Sequence, residues 1–265
     1  MRFEAVEKAA AGLLGAYASR VPVRPLTEEV PDLSLADAYA IQRAQVERWV
    51  ADGAVIKGHK VGLTSAAMQR QLGVDQPDYG HLLDTMFHTD GAPIDIRRFV
   101  QPRIEPEIAF VLGRPLAGPG VTAADAVAAV DFVLPALEII DSRIADWKIT
   151  LPDTVADNAS SGGVVLGTTP VRPDGLDLSL TGCLLHRNGD LVDTGAGGAV
   201  LGSPLNALVW LANVLGPMGV ALEAGHVVLP GSITAAVPIA TGDTFTATFA
   251  GIGNVTARFR DPTGS

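Results

Sequence analysis

The chain of 265 residues carries a net charge of −10, is 48% hydrophobic and is only 18% charged. Its basic residues, such as Arg97 and Arg98, are scattered rather than grouped into a stripe, which argues against a nucleic-acid or anionic-membrane surface. No uninterrupted apolar run has the length of a membrane span, and the single cysteine, Cys183, excludes an intrachain disulfide and suits the reducing cytoplasm.

The N-terminus is predicted to form an amphipathic helix rather than a targeting signal. Residues 9–18 are apolar enough for the core of a signal peptide, but the acids Glu4 and Glu7 precede them, where a secretory signal carries net positive charge. Apolar positions also recur at helical spacing along this stretch. We therefore expect a cytoplasmic protein.

Two more helices and a strand are predicted next. Ser34 is a good N-cap for a helix that ends at Gly53, because serine accepts a hydrogen bond from an amide of the first turn. Residues 54–63 are predicted to form a short strand. Thr64 and Gly73 then bound a third helix.

Strands dominate the rest of the chain. Residues 104–112 and 132–140 are mostly apolar runs of the length of a buried strand. Thr122 and Asp125 resemble a capping box for a short helix between them. The dipeptide at residues 188–189, Asn-Gly, is a strong signal for a tight hairpin.

The end of the chain continues this pattern. Ser203 and Pro204 open a helix that runs to Leu215, and the segments after it alternate apolar and polar residues as antiparallel strands with one wet face do. We therefore predict an α+β fold dominated by a folded-over β-sheet. We divide it into a helical N-terminal region, residues 1–90, and a β-rich catalytic domain, residues 91–265.

Acids interrupt the two apolar strands. Glu105 and Glu107 are two positions apart, so their side chains project from the same face of a strand. Two carboxylates in a partly buried site repel, and either one takes up a proton or a cation lies between them. Glu138 is a third acid, inside its own apolar run. With no Cys or His pattern nearby, three glutamates predict a hard oxygen site for Mg²⁺ or Mn²⁺.

A purely structural explanation is equally compatible with this spacing. In it, Glu105 and Glu107 face solvent on an edge strand, and Glu138 pairs with Arg103 or Arg143. Nothing in the sequence alone brings Glu138 close to the other two glutamates.

A series of short motifs occurs in order along almost the whole chain, and the ordered set is far more specific than any one member. The motifs are Gly58-His-Lys-Val-Gly-Leu-Thr-Ser65, Pro77-Asp-Tyr-Gly-His81, Arg103-Ile-Glu-Pro-Glu107, Leu137-Glu-Ile-Ile-Asp-Ser-Arg143, Asp157-Asn-Ala-Ser-Ser-Gly162, Thr194-Gly-Ala-Gly197 and Ala212-Asn213. The series resembles the 2-hydroxypenta-2,4-dienoate hydratase (2-keto-4-pentenoate hydratase) family of the fumarylacetoacetase-like superfamily.

The resemblance implies a mixed β roll with a smaller helical N-terminal region. It implies a divalent metal, Mg²⁺ or Mn²⁺, on Glu105, Glu107 and Glu138, and a functional lysine at Lys60. The implied reaction adds water to 2-hydroxypenta-2,4-dienoate, or a slightly longer dienol acid, in the meta-cleavage degradation of aromatic or steroid-ring compounds. The product is a 4-hydroxy-2-oxo acid. The resemblance also implies a homo-oligomer built from dimers, with a decamer as one candidate and an aldolase as a candidate pathway partner.

Lys60 and Asp78 are the candidate catalytic residues. Beside a bound cation Lys60 is expected to have a lowered pKa and to move a proton or hold the 2-oxygen, while Asp78 handles the water. Ser160, Ser161 and His81 are candidates for binding the substrate. Each has a structural alternative, because a lysine can pair with a glutamate, an aspartate can cap a turn, and lone histidines and serines are commonly structural.

Other functions compete with this interpretation. A 2-oxo-3-hexenedioate (4-oxalocrotonate) decarboxylase shares the metal chemistry, and a cation for its second carboxylate, such as Arg103, Arg143 or Lys148, would distinguish it. A hydrolase of acylpyruvates is a further alternative, and a non-catalytic protein would lack metal binding. Residues 193–198 suggest a dinucleotide-binding loop, but the glycine that this motif needs is replaced by Val200.

Overall fold

The computed structural model of the protein describes residues 1, 3–66, 69, 70 and 73–263. Within them the α-helices are α1 (Phe3–Ser19), α2 (Leu26–Glu29), α3 (Leu35–Ala51), α4 (Ala123–Ala129), α5 (Leu151–Ala156) and α6 (Pro204–Leu215). The strands are β1 (Ile56–Gly62), β2 (Asp78–Leu83), β3 (Phe87–Thr89), β4 (Pro93–Asp95), β5 (Pro102–Leu112), β6 (Val130–Asp141), β7 (Ser161–Leu166), β8 (Gly182–Arg187), β9 (Asp190–Ala196), β10 (Val227–Leu229), β11 (Val237–Pro238), β12 (Thr244–Phe249) and β13 (Gly253–Arg260). The helix predicted from Thr64 to Gly73 includes positions 67, 68, 71 and 72, which lie outside the described residues.

Several local sequence signals start or end these elements as predicted. The Ser34 side chain caps α3, and Thr122 and Asp125 form the reciprocal capping box of α4. Asn188 and Gly189 both have positive φ, 55° and 94°, as the tight turn between β8 and β9 requires.

The strands form two sheets that enclose the main core. One is an eight-stranded sheet in the order β2-β1-β10-β5-β6-β7-β3, with β11 paired to β5, and the other is a five-stranded sheet in the order β4-β13-β12-β8-β9. The pairs β1 with β10 and β3 with β7 are parallel, whereas the long pair β5 with β6 is antiparallel. Because β12 and β13 pack against β6, the sheets close on each other. The predicted mixed β roll is confirmed.

Aromatic side chains fill the space between the sheets. Phe110 of the large sheet and Phe245, Phe249 and Phe259 of the small sheet are almost completely buried in one cluster. Burial of each such side chain contributes about 1.5–3 kcal/mol relative to exposure. This core makes β5 and β6 a rigid platform.

The helix α6 covers one side of this core. By length and composition alone, the stretch Gly197–Met218 that contains α6 is apolar enough to cross a membrane. In the fold, however, α6 buries Leu208, Leu211 and Leu215 in the main cluster. It therefore packs as a core helix of a globular protein does.

The large sheet crosses the division expected at residue 90. The strands β1, β2 and β3 precede that residue and pair with β10 and β7, which follow it. The helices form a separate apolar cluster in which Leu13 of α1, Ile41 of α3 and Val155 of α5 are buried together. The sheet itself carries residues from both halves of the chain to one place.

Candidate metal centre and active site

Three glutamates meet in the middle of the large sheet. The register of β5 and β6 sets Glu105 directly opposite Glu138, and Glu107 follows on the same face of β5. An oxygen from each carboxylate lies within 4.8 Å of the other two. Since β5 is paired with β6 on one side and with β10 and β11 on the other, the alternative of a solvent-facing edge strand does not hold.

Repulsion within this cluster is not balanced by hydrogen bonds. Both carboxylate oxygens of Glu138 are buried without a hydrogen-bond donor among the described residues, and Glu107 accepts one hydrogen bond, of 2.7 Å, from the amide of Gly231. Burial and the charge of Glu138 raise the pKa of Glu105 to about 7. Burial, Glu138 and Glu105 raise the pKa of Glu107 well above its usual range. A cation between the carboxylates would relieve this repulsion.

The donor set fits a hard divalent cation. Carboxylate oxygens are the ligands that Mg²⁺ and similar ions prefer in proteins, and the cluster consists of carboxylates alone within the described part of the chain. Three protein ligands also leave coordination positions for water or a substrate. The observed geometry therefore makes Glu105, Glu107 and Glu138 able to hold such an ion.

Lys60 of β1 lies against the glutamates. Its Nζ donates a hydrogen bond of 3.0 Å to the carbonyl oxygen of Ala159 and lies 3.3 Å from Oε1 of Glu138. Burial alone would lower the pKa of Lys60, but the carboxylates of Glu138 and Asp78, with those of the other acids, raise it above the usual value. The lowered pKa that was expected beside a cation is therefore not produced by the protein's own groups.

Asp78 begins β2 and pairs with Gly62 of β1. The side chain is buried, and its Oδ1 has no hydrogen-bond partner among the residues that the structure describes. Burial raises the pKa of Asp78 to about 6, although the charge of Lys60 opposes this effect. A carboxyl group with such a pKa can both accept and release a proton near neutral pH.

A cavity of about 490 Å³ lies over these groups. Lys60, Asp78, Glu105 and Glu107 line one part of it. The remaining wall includes Leu63, Arg103, Trp147, Ile149, Ser232 and Thr234. The acid and base groups therefore share one compartment with an aromatic and apolar wall.

The two serines predicted to bind substrate have different positions. Ser160 lines the cavity, and its Oγ lies 3.3 Å from Oγ1 of Thr154. Ser161 is fully buried outside the cavity, and its hydroxyl donates a hydrogen bond of 2.8 Å to the carbonyl oxygen of Asn158. The structure thus brings only Ser160 to the site.

His81 is also not brought to the cavity. It lies three residues after Asp78 on β2, and side chains at this spacing point to opposite faces of a strand. Its ring packs against that of His59, with 4.8 Å between the centroids, and the ring centroid of His226 lies 6.1 Å from that of His59. Of these three residues His59 is buried, and strand alternation puts His81 on the face of the sheet opposite Asp78.

Two of the three cations considered for a second carboxylate are already engaged. Arg143 is fully buried, and its Nε donates a hydrogen bond of 2.6 Å to Asp157. Lys148 is exposed and lies 3.7 Å from Asp146. Of the three cations, only Arg103 lines the cavity. Glu138 forms its ion pair with Lys60 and not with Arg103 or Arg143.

Sequence reasoning missed Trp147 and the loop that begins at Gly231. Gly231 has a φ of 123°, and a Cβ at this position would overlap the side chain of Thr64, so glycine is required there. The Pro-Gly pair at residues 230–231 was the available signal for a functional turn. Trp147 follows the motif that ends at Arg143, but nothing in its spacing indicated a cavity wall.

The chain is similar to known proteins over most of its length. A family model described as fumarylacetoacetate (FAA) hydrolase C-terminal matches residues 50–260. The chain is 49% identical to a 2-keto-4-pentenoate hydratase of Paraburkholderia xenovorans over 253 residues, which are 96% of this chain and 94% of the relative. It is 46% identical to a 2-oxo-hept-4-ene-1,7-dioate hydratase of Escherichia coli, with 91% of this chain and 92% of the relative covered.

The fold is also shared with a solved structure. This is a 4-oxalocrotonate decarboxylase from Pseudomonas putida G7, complexed with magnesium and adipate. It superposes with a TM-score of 0.95 at 40% identity, and the match covers 98% of each chain.

Proposed function

The chain belongs to the fumarylacetoacetate hydrolase family, and we propose that it is a metal-dependent hydratase of 2-hydroxypenta-2,4-dienoate or a slightly longer 2-hydroxyalka-2,4-dienoate. The product is a 4-hydroxy-2-oxo acid, and the reaction belongs to the meta-cleavage degradation of aromatic or steroid-ring compounds. The observation that carries this proposal is a cavity lined by Lys60, Asp78, Glu105 and Glu107, with Glu138 beside it within reach of both glutamates and of Lys60. The identity of 46–49% to hydratases of such acids supports it.

We assign the metal as Mg²⁺ or Mn²⁺ on Glu105, Glu107 and Glu138. The all-carboxylate donor set supports this choice, because both ions prefer oxygen ligands. When bound, such an ion supplies Lewis-acid stabilisation of negative charge on the 2-oxygen of the substrate. The related decarboxylase structure is complexed with magnesium, which supports a divalent ion in this chain as well.

The protein groups then account for the proton transfers. The enol hydroxyl of the substrate loses its proton and C5 gains one, which gives a 2-oxo-3-enoate. Lys60 carries protons on Nζ at a position fixed by the carbonyl of Ala159, so it can deliver one to the substrate or hold the 2-oxygen. Its neighbour Glu138 keeps it charged.

Water then adds at C4, and C3 gains the second proton. Asp78 is the group assigned to this water, because its Oδ1 lacks a hydrogen-bond donor among the described residues and its pKa is about 6. As a carboxylate it accepts a proton from the water, and as an acid it returns one. Ser160 lines the same cavity and can donate a hydrogen bond to the substrate.

The decarboxylase of 2-oxo-3-hexenedioate is the second candidate, because the related solved structure has this activity in its name and is 40% identical. One experiment separates the two functions. With Mg²⁺ present, the loss of dienol absorbance is followed for 2-hydroxypenta-2,4-dienoate, and CO₂ release is followed for 2-oxo-3-hexenedioate. Metal-dependent dienol loss without CO₂, abolished by Glu107→Gln, supports the hydratase. CO₂ release makes the chain a decarboxylase, and inactivity on both substrates rejects both functions.

We further propose that the protein is a cytoplasmic homo-oligomer, with a decamer as the candidate state and an aldolase as a pathway partner. The buried free thiol of Cys183 supports a reducing compartment. Exposed apolar side chains on β8 and β9, namely Leu184, Leu191 and Val192, support a contact between copies. Sedimentation measurements would establish the number of subunits.

A further inference from the structure

Arg103 lines the cavity, and among the described residues its guanidinium group has no hydrogen-bond acceptor. The side chain is half-buried. Its guanidinium carbon lies 4.4 Å from the centroid of the Trp147 ring, and its charge acts on the carboxylate of Glu105. Five donor N–H groups of a permanent cation are therefore available to a ligand.

Trp147 is itself held in place. Its indole nitrogen donates a hydrogen bond of 3.0 Å to the carbonyl oxygen of Gln101, and its backbone has a left-handed φ of 55°. The ring is thus a fixed platform for Arg103. A guanidinium group stacked in this way presents its edge, which matches a carboxylate with two parallel hydrogen bonds.

Arg103 and Asp78 lie at opposite ends of the row formed by Glu105 and Glu107. Arg103 precedes Glu105 by two residues on the same face of β5, which corresponds to about 7 Å along the strand. The backbone of Lys60 lies level with the part of β5 beyond Glu107, because its partner Leu229 directly follows the β10 residue that pairs with Phe110, and its ammonium group reaches back to Glu138. Asp78 pairs with Gly62, two residues after Lys60, and is therefore at the Glu107 end of the row. A substrate whose 2-oxygen is near the glutamates therefore has one end toward Arg103 and the other toward Asp78.

The reaction determines the orientation of the substrate in the cavity. The atoms that exchange protons, C3 to C5, must lie near Lys60 and Asp78, and C1 is attached to the other side of C2. The C1 carboxylate therefore points toward Arg103. Even with a divalent ion on the glutamates, Asp78 repels a carboxylate at its end of the cavity, whereas Arg103 attracts one at the other end.

We propose that Arg103, supported by Trp147, binds the C1 carboxylate of the substrate, an inference that rests on the proposed function for the identity of that substrate. The subsite recognises a carboxylate next to a 2-oxo or 2-hydroxy group, which all substrates of the proposed reaction share. The subsite selects for 2-oxo and 2-hydroxy acids as a class and does not discriminate between substrates by the length of the chain beyond C5.

The test measures binding rather than turnover. The protein saturated with Mg²⁺ is titrated in a calorimeter with 2-oxopentanoate, which has no double bond to hydrate, with its neutral amide 2-oxopentanamide, and with 2-oxohexanedioate, which adds a far carboxylate. The variants are Arg103→Met, which keeps the aliphatic length, and Arg103→Lys, which keeps the charge. Arg258→Met, at an exposed position on β13, is the matched control.

We expect Arg103→Met to lower the affinity for both acids by about 30-fold. Its affinities for the amide and for Mg²⁺ should differ from those of the wild type by no more than about twofold. Arg103→Lys should lie between this variant and the wild type because it loses the paired geometry. Arg258→Met should bind all three ligands as the wild type does.

Three results would overturn the inference. If Arg103→Met binds 2-oxopentanoate as tightly as the wild type does, Arg103 does not contact the carboxylate. If the variant loses equal affinity for the acid and for the amide, Arg103 only shapes the cavity. A loss confined to 2-oxohexanedioate assigns Arg103 to the far carboxylate instead. If the acids bind through Arg103 but no dienoate is hydrated, the proposed function fails and the carboxylate subsite stands.

Discussion

Lys60 donates its hydrogen bond to a carbonyl, that of Ala159, which belongs to a strained turn. Asn158, Ala159 and Ser160 have consecutive left-handed φ values of 51°, 50° and 54°, and none of them is glycine. Each such residue costs of order 1–3 kcal/mol, so the surrounding structure must impose the conformation. The turn determines where the ammonium group of Lys60 lies relative to Glu138.

Two side chains impose this turn. Asn158 accepts a hydrogen bond of 2.8 Å from the amide of His81 and donates one of 3.0 Å to its carbonyl, so it acts as one more residue of the sheet. Arg143 holds both ends, through hydrogen bonds to the carbonyl oxygens of Asp157 and Ser161. The motifs around Arg143 and Asp157 therefore hold the turn that positions the ammonium group of Lys60.

The first prediction concerns Asn158→Ala. The loss of both hydrogen bonds should release the turn and lower kcat by about 10- to 100-fold, because a displaced ammonium group no longer meets the substrate. Steady-state kinetics with saturating Mg²⁺ measures this effect. Asn188→Ala is the matched control, since Asn188 also has a left-handed φ, of 55°, but lies in the distant hairpin. An equal loss of kcat in both variants would show general destabilisation instead.

The second prediction concerns Lys60→Met. It removes the proton carrier and keeps a side chain of similar length, so turnover should fall by about 10²- to 10⁴-fold. The affinity for Mg²⁺ should stay close to that of the wild type because Glu105, Glu107 and Glu138 remain. Single-turnover absorbance and metal titration are measured on the same preparation. A variant that retains turnover removes Lys60 from the mechanism.

The third prediction moves Asp78 without replacing it. A Cβ at Gly62 would overlap the carboxylate of Asp78, so Gly62→Ala must displace this group. We expect kcat to fall at least about tenfold, while the affinity for the metal is retained. Gly15→Ala is the control, because a Cβ there meets nothing within 4 Å and alanine favours the helix α1. Full activity of Gly62→Ala would argue against a role for Asp78 in proton transfer.

Much of this arrangement was predictable from the sequence because local rules fix it. The capping residues Ser34 and Thr122 and the turn at residues 188–189 act through neighbours in the chain. The separation of Glu105 and Glu107 by two residues likewise puts both on one face of any strand. Motif resemblance supplied what spacing did not, namely that Glu138 joins them.

Other features depend on contacts that no local rule describes. Asp78 and His81 belong to one short motif, yet strand alternation puts them on opposite faces of β2, and only Asp78 reaches the cavity. The adjacent serines Ser160 and Ser161 are separated in the same way by the end of the strained turn. Trp147 becomes a cavity wall only through the closure of the roll.

The fourth prediction concerns metal binding. Saturation with Mg²⁺ at a hundredfold excess over its Kd should stabilise the wild type by about 2.7 kcal/mol, because the ion binds only the folded cluster. Glu107→Gln should lose this stabilisation. Without metal it should be more stable than the wild type, since it removes a repelling charge but keeps an acceptor for the amide of Gly231.

Thermal unfolding with Mg²⁺ and with a chelator measures both effects. Glu223→Gln, at an exposed position, is the control and should behave as the wild type does. A metal-induced shift that survives Glu107→Gln would mean that the ion binds elsewhere.

The fifth prediction concerns the contribution of His59 and His81 to stability in acid. Burial lowers the pKa of His81 to about 4 and lowers that of His59 well below its usual value, with further lowering of the latter by His81 and His226. An unfolded histidine titrates near pH 6.5, so from about pH 6.5 down to about pH 4 these two histidines bind more protons in the unfolded chain than in the folded one. Their contribution to the free energy of unfolding therefore falls as the pH falls through this range, whereas carboxyl groups with a raised pKa, such as Glu105 and Asp78, contribute in the opposite direction.

For His81 alone the full effect is about 3 kcal/mol. Urea unfolding measures the change in the free energy of unfolding between about pH 7 and about pH 5, and this change should be more favourable to the folded state in His81→Phe than in the wild type, because phenylalanine fills the same space and cannot be protonated. His186→Phe, on the small sheet, should show the same change as the wild type. If His81→Phe also shows the change of the wild type, burial of His81 does not exclude the proton.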